Sequence, residues 1–279
     1  MNDLCYNYEM IKNKETYFPI IDCCYVIIME NSKYEEQVKN QLKRYPLSKN
    51  IYLQWNRGFK KCEKVLPEQI STADLTDSYK TVLRNAIRND YKFIMILEED
   101  FLVNKRVDDK GVRGDIEDFM KKRDPNILLL GSILWSTGDV DGNFVEVNLK
   151  SGTHAMIINK RTINNLFFKL ENSKDIIDMD LLTNKTREKY AYRIPLIVQV
   201  FEYSENQKNW GIGSFKSEEE RNKSVPIFIF WLKLLGFSKK DELENAFKLN
   251  YNIHFNNIYW ICKMISGKVS ELLCNKFLI

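Results

Sequence analysis

The chain has no long apolar run: no stretch reaches the ~18 apolar residues that a membrane-spanning helix needs. Residues 1–16 are polar and mixed in charge, without the apolar core of a signal peptide. A cytoplasmic protein is the simplest expectation. Six cysteines are present (Cys5, Cys23, Cys24, Cys62, Cys262 and Cys274), but not at metal-ligand spacing. That excludes a cysteine-built metal centre, and Cys23-Cys24, inside an apolar run, read as buried thiols rather than a redox pair. No glycine-rich loop of the phosphate-cradling kind occurs. Charge of one sign is also scarce, since 42 Lys and Arg against 38 Asp and Glu leave a net charge of only +4. A surface this weakly basic excludes a typical nucleic-acid binder and suits small acidic partners such as nucleotides. Internal repeats and low-complexity linkers are absent. Asn184-Lys185-Thr186 and Asn222-Lys223-Ser224 match the glycosylation sequon, a match common by chance.

What is present is ordinary for a globular protein of 279 residues: 44% hydrophobic, 29% charged and 13% aromatic. Cys23 to Met29 is a near-continuous apolar run, as in a strand covered on both faces. A helix is predicted over Lys33 to Arg44, closing before Pro46, and a second strand over Ile51 to Trp55. From Ser71, helical spacing of Leu75, Tyr79, Val82, Leu83, Ala86 and Ile87 predicts a helix, with Ser71-x-x-Asp74 resembling a capping box. Strand, helix, strand, helix, strand predicts a parallel α/β sheet. Further on, Asn104 to Gly114 reads as a mobile loop and Asp115–Lys122 as a short helix. Ile127–Leu130 then reads as a strand ending in Gly131. Val145, Val147 and Leu149 alternate as in a half-exposed strand. Ala155–Ile158 predicts a buried strand, followed by a helix with Ile163, Leu166, Phe167 and Leu170 on one face and a last strand around Ile194–Phe201. The character changes after Trp210. The division expected is a domain over 1–215 and a mainly helical extension over 216–279. Within that extension, Val225–Phe237 is apolar but too short to span. A helix packed on the domain, a dimer contact, or a segment lying in a membrane interface with Trp231, Lys233, Lys263 and Lys268 at headgroup level all fit it.

The candidate site lies where Phe93-Ile94-Met95-Ile96-Leu97 runs into Glu98-Glu99-Asp100. Five apolar residues cut off by three acids read as a buried strand whose end opens into a polar site. Strand alternation would put Glu98 and Asp100 on one side and Glu99 on the other. Mg²⁺ and Mn²⁺ take hard oxygen ligands, often only one or two from protein with phosphate supplying more. Ligands of α/β sheets bind at the carboxyl ends of strands, where these acids fall. Solvated charges at a strand end are the plain alternative.

Ile96-Leu97-Glu98-Glu99-Asp100-Phe101 resembles the Ile-Leu-Glu-Asp-Asp core of the family-25 glycosyltransferases, the lipopolysaccharide and collagen galactosyltransferase group, with relatives in large DNA viruses. Gly152-Thr153-His154-Ala155-Met156-Ile157-Ile158 is similar to that family's Gly-Thr-His-Ala-Tyr strand. An Ile177-Asp178 element and a stretch from Tyr192 to Ser204 with Pro195, Gln199 and Ser204 follow in the family's order. The resemblance covers roughly residues 20 to 210. It implies a GT-A type fold, a nucleotide-sugar donor (a UDP-sugar above all), Mn²⁺ or Mg²⁺, and a glycan, lipid or protein acceptor. Two departures stand out. Glu99 replaces an Asp, and Ser71–Ser78 stands where the family has a serine-histidine element.

For such transfer the departing pyrophosphate must be neutralised. Asp100, then Glu98, are the candidate metal ligands, and Glu99 is a candidate for the ribose or for support from behind. Inversion, which the family implies, needs a carboxylate to deprotonate the acceptor hydroxyl. Asp178 stands where the family has an acid, and Asp180 competes with it; a helix cap or a solvated loop is the structural alternative for both. Thr153 and His154 are candidates for the donor, His154 also for the metal, although a lone histidine entering a strand is often structural. Arg57, with Lys60 and Lys61, is a candidate phosphate contact, and Trp135 and Trp210 are candidate sugar platforms. Two other readings compete: a catalytically silent glycosyltransferase-like scaffold, and a nucleotidyltransferase or metal nuclease using the same acids.

Overall fold

The computed structural model describes residues 3–199. The domain boundary near 215, the helical extension, Ser204, Trp210, the segment Val225–Phe237, the sequon at Asn222, Cys262 and Cys274 lie outside the described residues. Of the elements present, β2 (Cys23–Met29), β3 (Asn50–Asn56) and β4 (Phe93–Glu98) are the parallel centre, and β1 (Tyr6–Lys12) pairs antiparallel with β3 at the margin. The helices between them are α1 (Glu35–Arg44) and α2 (Ser71–Arg88). Beyond β4 come β5 (Phe101–Val103), α3 (Lys110–Arg123), β6 (Ile127–Leu129) and the hairpin of β7 (Ile133–Asp141) with β8 (Phe144–Ser151). The described chain closes with β9 (Ala155–Asn159), α4 (Lys160–Asn172), α5 (Met179–Asn184), β10 (Lys189–Tyr192) and β11 (Ile197–Gln199).

A nine-stranded sheet has the order β1-β3-β2-β4-β9-β6-β10-β8-β7, and β11 pairs with β5 in a small second sheet. The expected parallel pairing holds for β3, β2 and β4, and again where β10 runs beside β6. β9 runs antiparallel to both β4 and β6, making the sheet mixed. The reason is the β7–β8 hairpin: it turns the chain back after β6, so β9 enters without a crossover helix.

Alternating side chains send alternate residues of β4 to opposite faces. Met95 and Leu97 join the core beneath Val38 and Leu42 of α1 and Ile116 and Met120 of α3. Ile94 and Ile96 pack with Tyr79 and Val82 of α2 and Ile163 and Leu166 of α4. These residues are almost wholly buried. Each contributes about 1.5–3 kcal/mol of transfer free energy, so β4 is anchored from both sides.

Other expectations need correction. The segment from Asn104 to Gly114 is folded: it forms a 3-10 turn at Lys105–Asp108 and the first turn of α3. Asn104 caps that turn and binds the Pro195 carbonyl at 3.2 Å, giving a polar stretch a buried anchor. The capping box at α2 does not form. Ile70 occupies the N-cap position without a side-chain cap bond, and the Asp74 carboxylate instead meets Lys64. The polar N-terminus contains β1. The last expected strand, around Ile194–Phe201, is present as Ile197–Gln199, and its far end lies outside the described residues.

Cys5 and Cys62, 57 residues apart, form a disulfide. Pairing of β1 with β3 brings them together, and the Arg57 amide donates to the Cys5 carbonyl at 3.1 Å. Such bonds are commonest in oxidising surroundings. Cys23 and Cys24 are buried thiols, as expected. The Asn184 amide is engaged by β8 in both directions, accepting from the Lys150 amide at 3.0 Å and donating to its carbonyl at 2.8 Å. Among the described residues no helix is long and apolar enough to cross a membrane.

Candidate functional site

The carboxyl ends of β2, β3, β4 and β6 and the amino end of β9 share one edge of the sheet, because Leu97 faces Ala155 and Leu129 faces Met156 across the antiparallel pairs. Glu98 is the last residue of β4, and its amide donates to the His154 carbonyl at 3.1 Å. Its Oε1 lies 2.7 Å from the Tyr79 hydroxyl and 2.9 Å from Thr153 Oγ1. The two motifs, 55 residues apart in sequence, thus meet side chain to side chain. Burial pushes the Glu98 carboxyl up, and Asp180 adds to this, while the Tyr79 and Thr153 hydrogen bonds and the Lys150 charge oppose it.

The strand stops at Glu98, so alternation does not carry through to Asp100. Glu99 turns to the first strand of the parallel centre, where its Oε2 accepts from the Met29 amide at 2.8 Å. Burial raises its carboxyl as well, against the Met29 and Ser32 hydrogen bonds. Glu99 therefore ties the acidic turn to the end of β2. The Tyr34 phenol is pushed up first by burial and then by the charges of Asp100 and Glu99.

No group of three or more His, Cys, Asp and Glu side chains is gathered around a common point among the described residues. Glu98 and Asp100 still suit Mg²⁺ or Mn²⁺ in kind, as hard oxygen donors of which such ions need few from protein. Asp100 is the better fit, since Oε1 of Glu98 already receives two hydroxyls.

His154 sits in a slot. It is 1% exposed, and a Cβ on Gly131 or on Gly152 would each come within 3.0 Å of a ring nitrogen. Gly152 also has φ +88°, a backbone that favours glycine. Neither ring nitrogen makes a hydrogen bond of good geometry among the described residues, although the Gly131 and Ile197 backbones lie against the ring. Burial holds the imidazole down at about 4, aided by Lys150 and opposed by Asp180 and the Gly131 and Ile197 carbonyls. The enclosed ring can touch a donor or a metal only by leaving that slot, so the structural alternative is the one this geometry favours. A group neutral when folded but chargeable when unfolded stabilises the fold above pH 6.5, and this contribution is lost as pH falls toward 4. His154→Leu is therefore expected to gain stability relative to the parent over that interval. Denaturant titrations at pH 7 and pH 4.5 check this; an unchanged difference between the two proteins contradicts it.

Asp178 and Asp180 separate in role. Asp178 is the N-cap of α5, its Oδ1 accepting from the amides of Asp180 at 2.7 Å and Leu181 at 3.2 Å. Asp180 reaches under the site, with Oδ1 2.8 Å from Lys150 Nζ and Oδ2 accepting from the Gly152 amide at 3.0 Å. The segment before α5 is fixed too, as Thr76 Oγ1 donates to the Ile177 carbonyl at 2.7 Å. Arg57 lies on the same edge beyond β3, exposed, with Nε 3.8 Å from Glu30 Oε2. Lys61 follows in a turn closed on the Gly58 carbonyl. Trp135 lies on β7.

Tyr79 and Lys150 are site residues that the sequence reading overlooks. Tyr79 sits in the apolar stripe of α2, where nothing separates a core phenol from one bonded to a carboxylate. Lys150 falls in the polar phase of β8, opposite to Val145 and Val147. The β7–β8 register slips between Thr137 and Leu134, which inverts that phase, so Leu149 is 49% exposed and Lys150 is buried.

No family model matches this chain, and no curated protein does. Solved structures with a faint likeness include A197 from STIV, at 14% identity and TM-score 0.37, over 61% of this chain and 81% of that one. Another is a glycosyltransferase involved in glycosylation of the major capsid of PBCV-1, at 13% identity and TM-score 0.39, over 67% and 97%. A third is UDP-glucose pyrophosphorylase complexed with UDP-glucose, at 9% identity and TM-score 0.35, over 61% and 72%. Likenesses this distant assign no role to any residue.

Proposed function

We propose that this chain is a glycosyltransferase of the family-25 kind, moving a sugar from a nucleotide sugar, a UDP-sugar by preference, to a hydroxyl of a glycan, lipid or protein with inversion. One arrangement carries the reading: Glu98, from the acidic end of β4, is hydrogen-bonded to Thr153 and backed by His154 from the Gly-Thr-His element. In this reading Asp100 holds Mn²⁺ or Mg²⁺, with Glu98 as second ligand. A cation so held supplies Lewis-acid neutralisation of the leaving pyrophosphate. Arg57 meets the donor phosphates, and Thr153 orients Glu98 toward them. Asp178 is the base. Its Oδ1 is spent on the cap while Oδ2 takes no part in it, and the carboxylate accepts the hydroxyl proton as the acceptor oxygen bonds the anomeric carbon and the donor's glycosyl–phosphate bond breaks.

A second reading, a catalytically silent scaffold of the same fold, draws on the engagement of Glu98 by two hydroxyls and on the rise in its pKa. Calorimetry of UDP with Mn²⁺ separates the two. The transferase reading expects saturable binding that Asp100→Asn weakens by about tenfold or more, a loss of ~1.4 kcal/mol. Equal binding by a folded Asp100→Asn protein contradicts the metal assignment, and no binding by the parent favours the scaffold.

A further inference from the structure

We propose that the buried Lys150 and the half-buried Asp180 form a strut that positions the Gly152–Thr153 corner against Glu98. Lys150 is then a positioning residue for sugar transfer, and Asp180 is not its base. The inference rests on the transferase reading above.

The Lys150 side chain is fully buried, and its Nζ bonds Asp180 Oδ1 at 2.8 Å and the Gly152 carbonyl at 3.2 Å. Asp180 Oδ2 takes the Gly152 amide at 3.0 Å. The pair therefore holds both polar groups of one glycine, and Ser132 Oγ adds a bond of 2.6 Å to the same carbonyl. The next residue, Thr153, donates to Glu98. Lys150 is itself fixed, since Asn184 bonds both its amide and its carbonyl. A chain of direct contacts thus runs from α5 through Lys150 and Gly152 to the acidic end of β4.

The energetics point the same way. An ion pair of this kind is a poor source of stability, because burying the lysine costs desolvation while solvent at the half-exposed Asp180 weakens the attraction. What the pair supplies here is geometry. Two oppositely directed hydrogen bonds fix the peptide orientation at a glycine with φ +88°, a residue with unusual freedom to turn. With both carboxylate oxygens already hydrogen-bonded, to Lys150 and to the Gly152 amide, Asp180 is poorly placed to receive an acceptor proton, which leaves that task to Asp178.

The test compares nucleoside diphosphate release by the full chain and by Lys150→Met, Lys150→Arg, Asp180→Asn and the double variant Lys150→Met/Asp180→Leu, each checked for folding by circular dichroism. Misplacing Glu98 is expected to lower kcat by about 10- to 100-fold in Lys150→Met, with a smaller change in KM. Lys150→Arg should recover part of the loss. The double variant removes both charges and should fold, yet remain as slow as Lys150→Met. A folded Lys150→Met or double variant with parental kcat overturns the strut. Failure of the transferase reading looks different: the parent itself then releases nothing from any nucleotide sugar.

Discussion

Gly131→Ala is expected to abolish stable folding, at a cost above about 4 kcal/mol. A Cβ at this position would lie 1.5 Å from the Ile197 carbonyl oxygen and 2.6 Å from its carbon. Backbone is the obstacle, so no side-chain rotation relieves it. Retreat is blocked as well: the Leu130 carbonyl accepts from the Leu196 amide at 2.7 Å and the Ile197 amide at 3.0 Å, and the Leu130 amide donates to Ala155 at 3.0 Å. Separating the two segments would break this three-way junction and open the slot that holds His154. Gly114→Ala is the control. It lies inside α3, nothing stands within 4 Å of its new methyl, and alanine should stabilise the helix by up to about 1 kcal/mol. Denaturant unfolding of both variants measures the contrast. A Gly131→Ala protein within 1 kcal/mol of the parent, by order of magnitude, contradicts the described junction.

Lys64→Met should be the next most damaging change, at about 3–5 kcal/mol. Lys64 has its side chain 2% exposed, in a polar pocket formed by β1, β3 and α2. Its ammonium pairs with Asp74 and donates to Asn56 Oδ1 at 2.6 Å and the Tyr6 hydroxyl at 2.8 Å. Burial lowers its pKa, and Asp74 opposes this. Methionine fills much of the volume but leaves the Asp74 carboxylate buried with two long bonds, 3.3 Å each, from Asn56 Nδ2 and the Phe59 amide. The cost thus comes mainly from the charge left behind, not from the pair's own strength. Lys64→Met/Asp74→Leu should therefore be more stable than Lys64→Met alone. If the double variant loses the sum of the two single effects, the charge pairing is not what holds this pocket.

Much of the fold was legible because the parallel core is written in continuous apolar runs. Cys23–Met29 and Phe93–Leu97 are buried on both faces, and such strands need no alternation to be recognised. The helices α2 and α4 were equally plain, each carrying its buried residues at helical spacing. The half-exposed elements were harder. In β1, Tyr6, Tyr8 and Met10 do alternate, but the polar residues between them outweigh that signal. The mixed direction of the sheet depends on the β7–β8 hairpin, whose two-residue Gly142-Asn143 turn, with Gly142 at φ +58°, is the local signal for it.

The candidate site divides similarly. Glu98, Thr153 and Asp180 were named from sequence and lie in one hydrogen-bonded group. The sequence offered a helix cap for either acid but not that Asp178 takes it while Asp180 answers a buried lysine, for the lysine's burial depends on where β8 changes phase. His154 was named too, but its enclosure follows from two glycines far apart in sequence, each meaningful only once the other is in place.

The central claim is that the acidic end of β4 and the Gly-Thr-His element form a metal-assisted sugar-transfer site. Release of free nucleoside diphosphate from a panel of nucleotide sugars, first with Mn²⁺ and then with EDTA, tests it most directly. The account predicts release from one donor, abolished by EDTA and reduced by about 100-fold or more in Asp100→Asn. Undiminished release by a folded Asp100→Asn protein, or silence of the parent toward every donor together with no nucleotide binding, contradicts it.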